Sequence, residues 1–216
     1  MPNWCNNYLV LEHDDPEMIT RARKAFNEGK LLNEFAPVPQ ALQIVAGRVG
    51  ADDEPEQIKL HEQTMHNLST YGYANWYDWC VNEWGTKWDV GGEGDQSSQD
   101  SPTDVRMNFD SAWAPPIAAM EKFQDLGFKV KLIYWESGMC FAGIYDENGD
   151  DYIDYTDMTA DEVDKAINDE VDECMCIVEN LRMWEEDNRE EEDETPHEFA
   201  TPGSFTVEEG LKKEDK

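Results

Sequence analysis

The chain opens on an alternating pattern. In NWCNNYLVLEH, Tyr8, Val10 and Glu12 fall on one side of an extended segment and Leu9 and Leu11 on the other, which predicts a strand with at least one buried face. The period then changes. In DDPEMITRARKAF, Pro16 takes a first-turn position, Met18, Ala22, Ala25 and Phe26 recur at helical spacing, and Gly29 ends the helix. Residues 31–57 hold three prolines and two glycines, the composition of a long connection with at most a short helical turn. Two helices follow, broken near Tyr71 and Gly72 and stopped at Gly85.

TKWDV reads as a strand, GGEGDQSSQDSP as a surface loop, and DVRMNFDSAW as a second strand with Val105, Met107 and Phe109 on one face. APPIAAMEKFQDLG is a helix opened by proline and closed at Gly127. In FKVKLIYWE, Phe128, Val130, Leu132 and Tyr134 share one face, with Ile133 and Trp135 on the other. Asn148-Gly149 between two alternating runs signals a hairpin. From Thr159, with Glu162 completing a capping box, apolar residues recur at Val163, Ile167, Val171, Cys174, Val178 and Leu181. That stripe predicts a single helix of 25–30 residues. With the central helical segment set aside, the order is βαββαβ, the α+β pattern of a ferredoxin-like antiparallel sheet covered by helices.

Charge divides the chain. Of a net −32, residues 1–145 carry 22 acids and 11 bases, residues 146–184 carry 14 and 2, and residues 185–216 carry 13 and 4. Such an excess repels nucleic-acid phosphate and anionic lipid and favours a basic protein partner. The expected organisation is a body over 1–156 with a helical insertion at about 30–85. An acidic amphipathic helix over 157–190 packs on that body or extends from it, and an acidic disordered tail over 191–216 carries Phe199 and Phe205 as possible anchors. No run approaches eighteen apolar residues, so no membrane span is expected, and five cysteines without framework spacing, behind an N-terminus lacking a secretory pattern, point to a reducing cytoplasm.

Four ordered stretches, MPNWCNN, WYDWCVNEWGTKWD, FDSAWAPP and YWESGMCFAGIY, resemble the YubB-type ferredoxin-like domain family of bacteriophage and plasmid proteins of unassigned function. The resemblance covers about residues 1–156 and implies a ferredoxin-like topology and a phage or plasmid origin, with the host cytoplasm as location. It brings no catalytic residues with it, and the acidic region from Thr159 departs from the family pattern.

Catalytic and cofactor chemistry finds little support. Cys174 and Cys176 stand two apart on the predicted helix, about 200° around it, so they cannot share a metal or a disulfide. His61 and His66 are five apart, no phosphate loop or nucleophile elbow is present, and counting a calcium loop from Asp146 puts Gly149 fourth rather than sixth. No cofactor or metal is expected. Two readings remain. The first is a non-enzymatic interaction protein whose candidate partner-binding residues, the acids Asp161, Glu162, Asp169, Glu170, Asp172, Glu173, Glu185 and Glu186 together with Lys87, Trp88 and Trp113, occupy the basic surface of a host defence factor or nucleic-acid enzyme, in part as a nucleic-acid mimic. As one straight helix, residues 161–194 would place one net charge about every 3.9 Å, near the density of a single nucleic-acid strand. The second is an enzyme or small-molecule binder that uses an aromatic groove of Trp84, Trp88 and Trp113 with Lys87 and Asn6. Most of the tryptophan-rich helix is expected to be core, because Trp76, Trp79, Cys80 and Trp84 share an arc of about 140°.

Overall fold

The computed structural model of the protein describes residues 3–194. Its strands are β1 (Trp4–Glu12), β2 (Gln96–Ser98), β3 (Asp104–Ala112), β4 (Lys129–Glu136), β5 (Phe141–Asp146) and β6 (Gly149–Asp154). Its α-helices are α1 (Pro16–Asn27), α2 (Leu31–Phe35), α3 (Pro55–Tyr71), α4 (Trp76–Glu83), α5 (Ile117–Asp125), α6 (Ala160–Ala166), α7 (Asp169–Met175) and α8 (Ile177–Glu194). The sheet runs β2-β3-β1-β4-β5-β6, antiparallel throughout. Its first four strands, with α1 and α5 in the crossovers, have the ferredoxin-like arrangement, and β5 and β6 extend that sheet as a meander.

Alternation along the strands divides the interior into two cores. On the first face, Leu9, Leu11, Met107, Phe109, Leu132 and Tyr134 meet Ile19, Ala22 and Phe26 of α1 and Ala119, Met120 and Phe123 of α5. The Trp79 and Trp84 rings join this core at 5.6 Å between centroids, edge to face. On the second face, Ile133, Ala142 and Ile144 are covered by Val163, Ile167, Val171, Ile177 and Val178. The acidic C-terminal helices are therefore a third layer that packs on the sheet.

Three local expectations are corrected. The predicted long helix is three helices: Ile167 is extended at ψ 148, and Cys176 is left-handed at φ 55. Each break resets the helical phase, so Ile177 is buried while Cys174 points to solvent, although the uninterrupted stripe included Cys174 and omitted Ile177. A straight rod of charge does not exist, and the comparison with a nucleic-acid strand lapses with it. The predicted strand TKWDV forms no ladder; its polar groups bond elsewhere, as described below. Conversely, Gln96–Ser98, read as loop, pairs with β3 as a short edge strand. The hairpin forms, with Glu147-Asn148 in the turn and Gly149 at φ 107 opening β6. Of the disordered tail expected over 191–216, residues 191–194 instead continue α8, and the rest, with Phe199 and Phe205, lies outside the described residues.

Candidate functional site

The acidic face is built by the way α6–α8 seat on the sheet. On α8, Ile177, Val178 and Leu181 turn toward the second core, which leaves Glu179, Met183, Glu186 and Asp187 across an outward arc of roughly 100°. Met183 is exposed there, and Trp184 on the flank is 65% exposed, the largest exposure of any bulky apolar side chain among the described residues.

The acids singled out from sequence divide by what holds them. Glu162 closes the capping box, accepting from the Thr159 N–H and hydroxyl at 2.9 Å each, and those bonds hold its carboxyl below the usual carboxylate value. Asp172 accepts the Val178 N–H at 2.8 Å and so caps the start of α8. Glu170 pairs with Lys131 of β4 at 2.5 Å, tying α7 to the sheet. Asp161, with Asp164, faces Arg182 at 3.4 and 2.8 Å, tying α6 to α8, and Glu185 accepts the Ala160 N–H at 2.8 Å. These five build the helical layer. Asp169, Glu173 and Glu186 have no hydrogen-bond or ion partner among the described residues, and neither do Glu179 and Asp187, which the sequence reading passed over. An apolar stripe re-phased after each break would have put both outward; the signal was present but the breaks were not.

The aromatic cluster differs from the expected groove. Trp84 is 4% exposed and its indole N–H donates to the Ala36 carbonyl at 2.8 Å, so it belongs to the first core and lines no groove. Lys87, Trp88 and Trp113 do come together. The Lys87 ammonium lies 4.4 Å from the Trp88 ring centre, 5.3 Å from Trp113 and 5.6 Å from Tyr77, within cation–π range of all three. Trp4, absent from the sequence reading, adds its ring 5.9 Å from Trp88. Nothing in the N-terminal motif marked Trp4 as a neighbour of Trp88; the β1–β3 register, which sets Trp4 opposite Ala112, brings them together.

The segment that carries Lys87 and Trp88 is fixed by polar side chains in place of a ladder. The Thr86 hydroxyl donates to Ala112 O at 3.0 Å. The Asp89 carboxylate accepts the Leu32 and Asn33 N–H groups at the start of α2. Burial nevertheless raises the Asp89 carboxyl above its usual value. Gly91 lies so close to α1 that an added Cβ would overlap Phe26 O, and the Gly92 N–H donates to that same carbonyl at 2.8 Å. The GGEG run, which carries no motif chemistry, is a close-approach loop. Trp113 takes the left-handed conformation at φ 71 and donates its N–H to Asn3 O at 2.9 Å.

Asn6 donates to Asp110 Oδ1 at 2.6 Å on the second face, and no hydrogen bond joins it to Lys87 among the described residues. Asp110 and Asp95 border a cleft of about 250 Å³ that reaches Trp4 and Trp88, and both also border a cavity of about 350 Å³ that runs past Asn6 and Tyr8 to Met175 of α7. The described cysteines are free; burial pushes the Cys5 and Cys80 thiols up to about 12, which removes them as nucleophiles near neutral pH. Among the described residues, no three His, Cys, Asp or Glu side chains are grouped to hold a metal, and no helix is long and apolar enough to cross a membrane.

No family model and no curated protein matches the chain. Among solved structures, the crystal structure of protein api92 from Yersinia pseudotuberculosis, of family DUF1281, is similar over 72% of this chain and 98% of its own, at 12% identity and a TM-score of 0.36, a likeness too slight to carry a functional argument.

Proposed function

We propose that the protein is a non-enzymatic interaction protein that binds and blocks a basic surface of a host protein, a nucleic-acid enzyme or defence factor, in the setting of a phage or plasmid. The observation that carries this reading is the outward face of α8, where Glu179, Glu186 and Asp187 have no partner among the described residues and surround Met183, with Trp184 exposed beside them. Carboxylates on the rim with an aliphatic and an indole side chain among them match what a basic, partly apolar protein surface requires: charge for steering and specificity, and apolar area for affinity. The net charge of −32 favours the same class of partner. The resemblance to the YubB-type family supports the phage or plasmid setting and stands as part of the proposal.

The test is affinity capture from host lysate with the full chain, with Trp184→Ala, and with the triple variant Glu179→Gln, Glu186→Gln, Asp187→Asn. A specific partner should be lost at high salt, weakened at least tenfold by either variant, and released by duplex DNA. A partner held equally by all three chains and indifferent to salt and DNA would overturn the reading.

A further inference from the structure

We infer that the cleft bordered by Trp4, Trp88, Asp95 and Asp110 accepts an arginine side chain of a basic partner. Two unlike features converge there. One border is a continuous aromatic surface of two indole rings in contact, 5.9 Å between centres and tilted by 36°, each more than a third exposed. The border carries Asp95 and Asp110, and no cation pairs with either among the described residues. Burial raises the Asp95 carboxyl above its usual value, and the nearby charge of Asp110 adds to the rise, so two neighbouring carboxylates share one side of the cleft uncompensated. A cation relieves both the repulsion and the desolvation. An anion, nucleotide phosphate included, meets the opposite field.

The chain's own lysine does not fill the place. Lys87 is engaged with the Trp88, Trp113 and Tyr77 rings and is absent from the lining of the cleft. Its ammonium lies over the Trp88 ring and so positions that ring before any ligand arrives. The two carboxylates are oriented as well: Asp110 by the Asn6 amide at 2.6 Å and Asp95 by the Gly91 N–H at 3.0 Å, each with one oxygen left for a ligand. Arginine suits the site better than lysine because a planar guanidinium can stack on an indole while its N–H groups donate sideways to carboxylates. A cleft of about 250 Å³ has room for that side chain. It opens on the sheet face that α7 also borders, through the cavity shared by Asp110 and Met175, so one partner can reach both the cleft and the acidic helices.

This inference rests on the reading of the protein as a binder of a basic partner, and its test separates the two. Indole N–H resonances of the full chain are followed by NMR during titration with N-acetyl-arginine amide, with the corresponding capped citrulline as the uncharged isostere and capped lysine as the second cation. The Trp4 and Trp88 signals should shift with arginine, several-fold more weakly with lysine, and not with citrulline. Trp88→Ala and the conservative Asp110→Asn should each weaken the arginine response by roughly tenfold while circular dichroism shows an unchanged fold. The Glu179/Glu186/Asp187 triple variant should keep it, since its carboxylates lie on α8. Equal shifts with citrulline, equal responses to lysine and arginine, or an arginine response unaltered in both Trp88→Ala and Asp110→Asn would overturn the cleft and leave the α8 reading standing. Loss of the response in the triple variant would overturn it too, by reducing it to general attraction to an acidic chain.

Discussion

Glu83 shows how a single charge is committed to stability. The Lys122 ammonium and, second, the Tyr73 hydroxyl bond its carboxylate and hold it below the usual value of 4.5. A depressed folded value means that the stabilisation is complete above the ordinary carboxylate range and is lost as pH falls through the folded value. Glu83→Gln should therefore cost about 1 kcal/mol near neutral pH, with the difference from wild type shrinking as pH is lowered below the usual carboxylate range, as read from urea melts across that range. Gly143 makes a steric case of the same kind. An added Cβ would overlap the Tyr134 hydroxyl, which reaches across β5 to donate to Asp150 at 2.6 Å, and would sit 2.7 Å from Asp151 O. Gly143→Ala should cost about 1–3 kcal/mol of unfolding free energy, a drop of several degrees in Tm. Neither role could be read from the chain: Glu83 and Lys122 are 39 residues apart, and Gly143 looks like any strand glycine until Tyr134 of the neighbouring strand is placed over it.

At the scale of elements, the C-terminal layer separates pattern from geometry. The period of Val163, Ile167, Val171 and Val178 correctly identified helix and buried side, since all four are buried. It could not reveal the breaks, because Asn168 and Cys176 are ordinary enough helix residues by propensity. The breaks follow from docking: each short helix must lay its apolar side on a twisted sheet, and a straight helix of that length would leave the surface. Cys176 reports this directly. In a left-handed position, Cys176→Gly should raise stability by about 1 kcal/mol, whereas in a continuous helix the same change would lower it by a similar amount, so the sign of the Tm shift decides. The failure at TKWDV has the opposite origin. Its composition suits a strand, but Thr86, Asp89 and the glycines after it bond to β3, α2 and α1, which holds the segment in a path that forms no ladder.

For the molecule as a whole, the third layer changes what counts as a stable unit. A chain ending at Tyr155 uncovers Ile133, Ala142 and Ile144 and discards five buried aliphatic side chains, each contributing about 1.5–3 kcal/mol before entropic offsets. The shortened chain should melt well below the full one and bind a hydrophobic dye; equal Tm values would show that the body stands without its acidic cover. The same cover concentrates charge on one side, and at a net −32 self-repulsion opposes folding. Tm should rise with NaCl between about 10 mM and 0.5 M, as the screening length falls from about 30 Å to a few ångström.

By itself the sequence determined the α+β class, the strands and helices with unbroken periods, the burial of Trp79 and Cys80, and the acidity of the last third, because alternation, helical spacing and charge are properties of contiguous residues. Only the tertiary structure decided that the acidic helices fold back onto the second face, which of their carboxylates are occupied in holding that layer, and that Trp4 meets Trp88 beside Asp95 and Asp110. Those facts depend on sheet register and on side chains distant in sequence, where each contact is chosen by what the rest of the fold leaves open, and no local period records that choice.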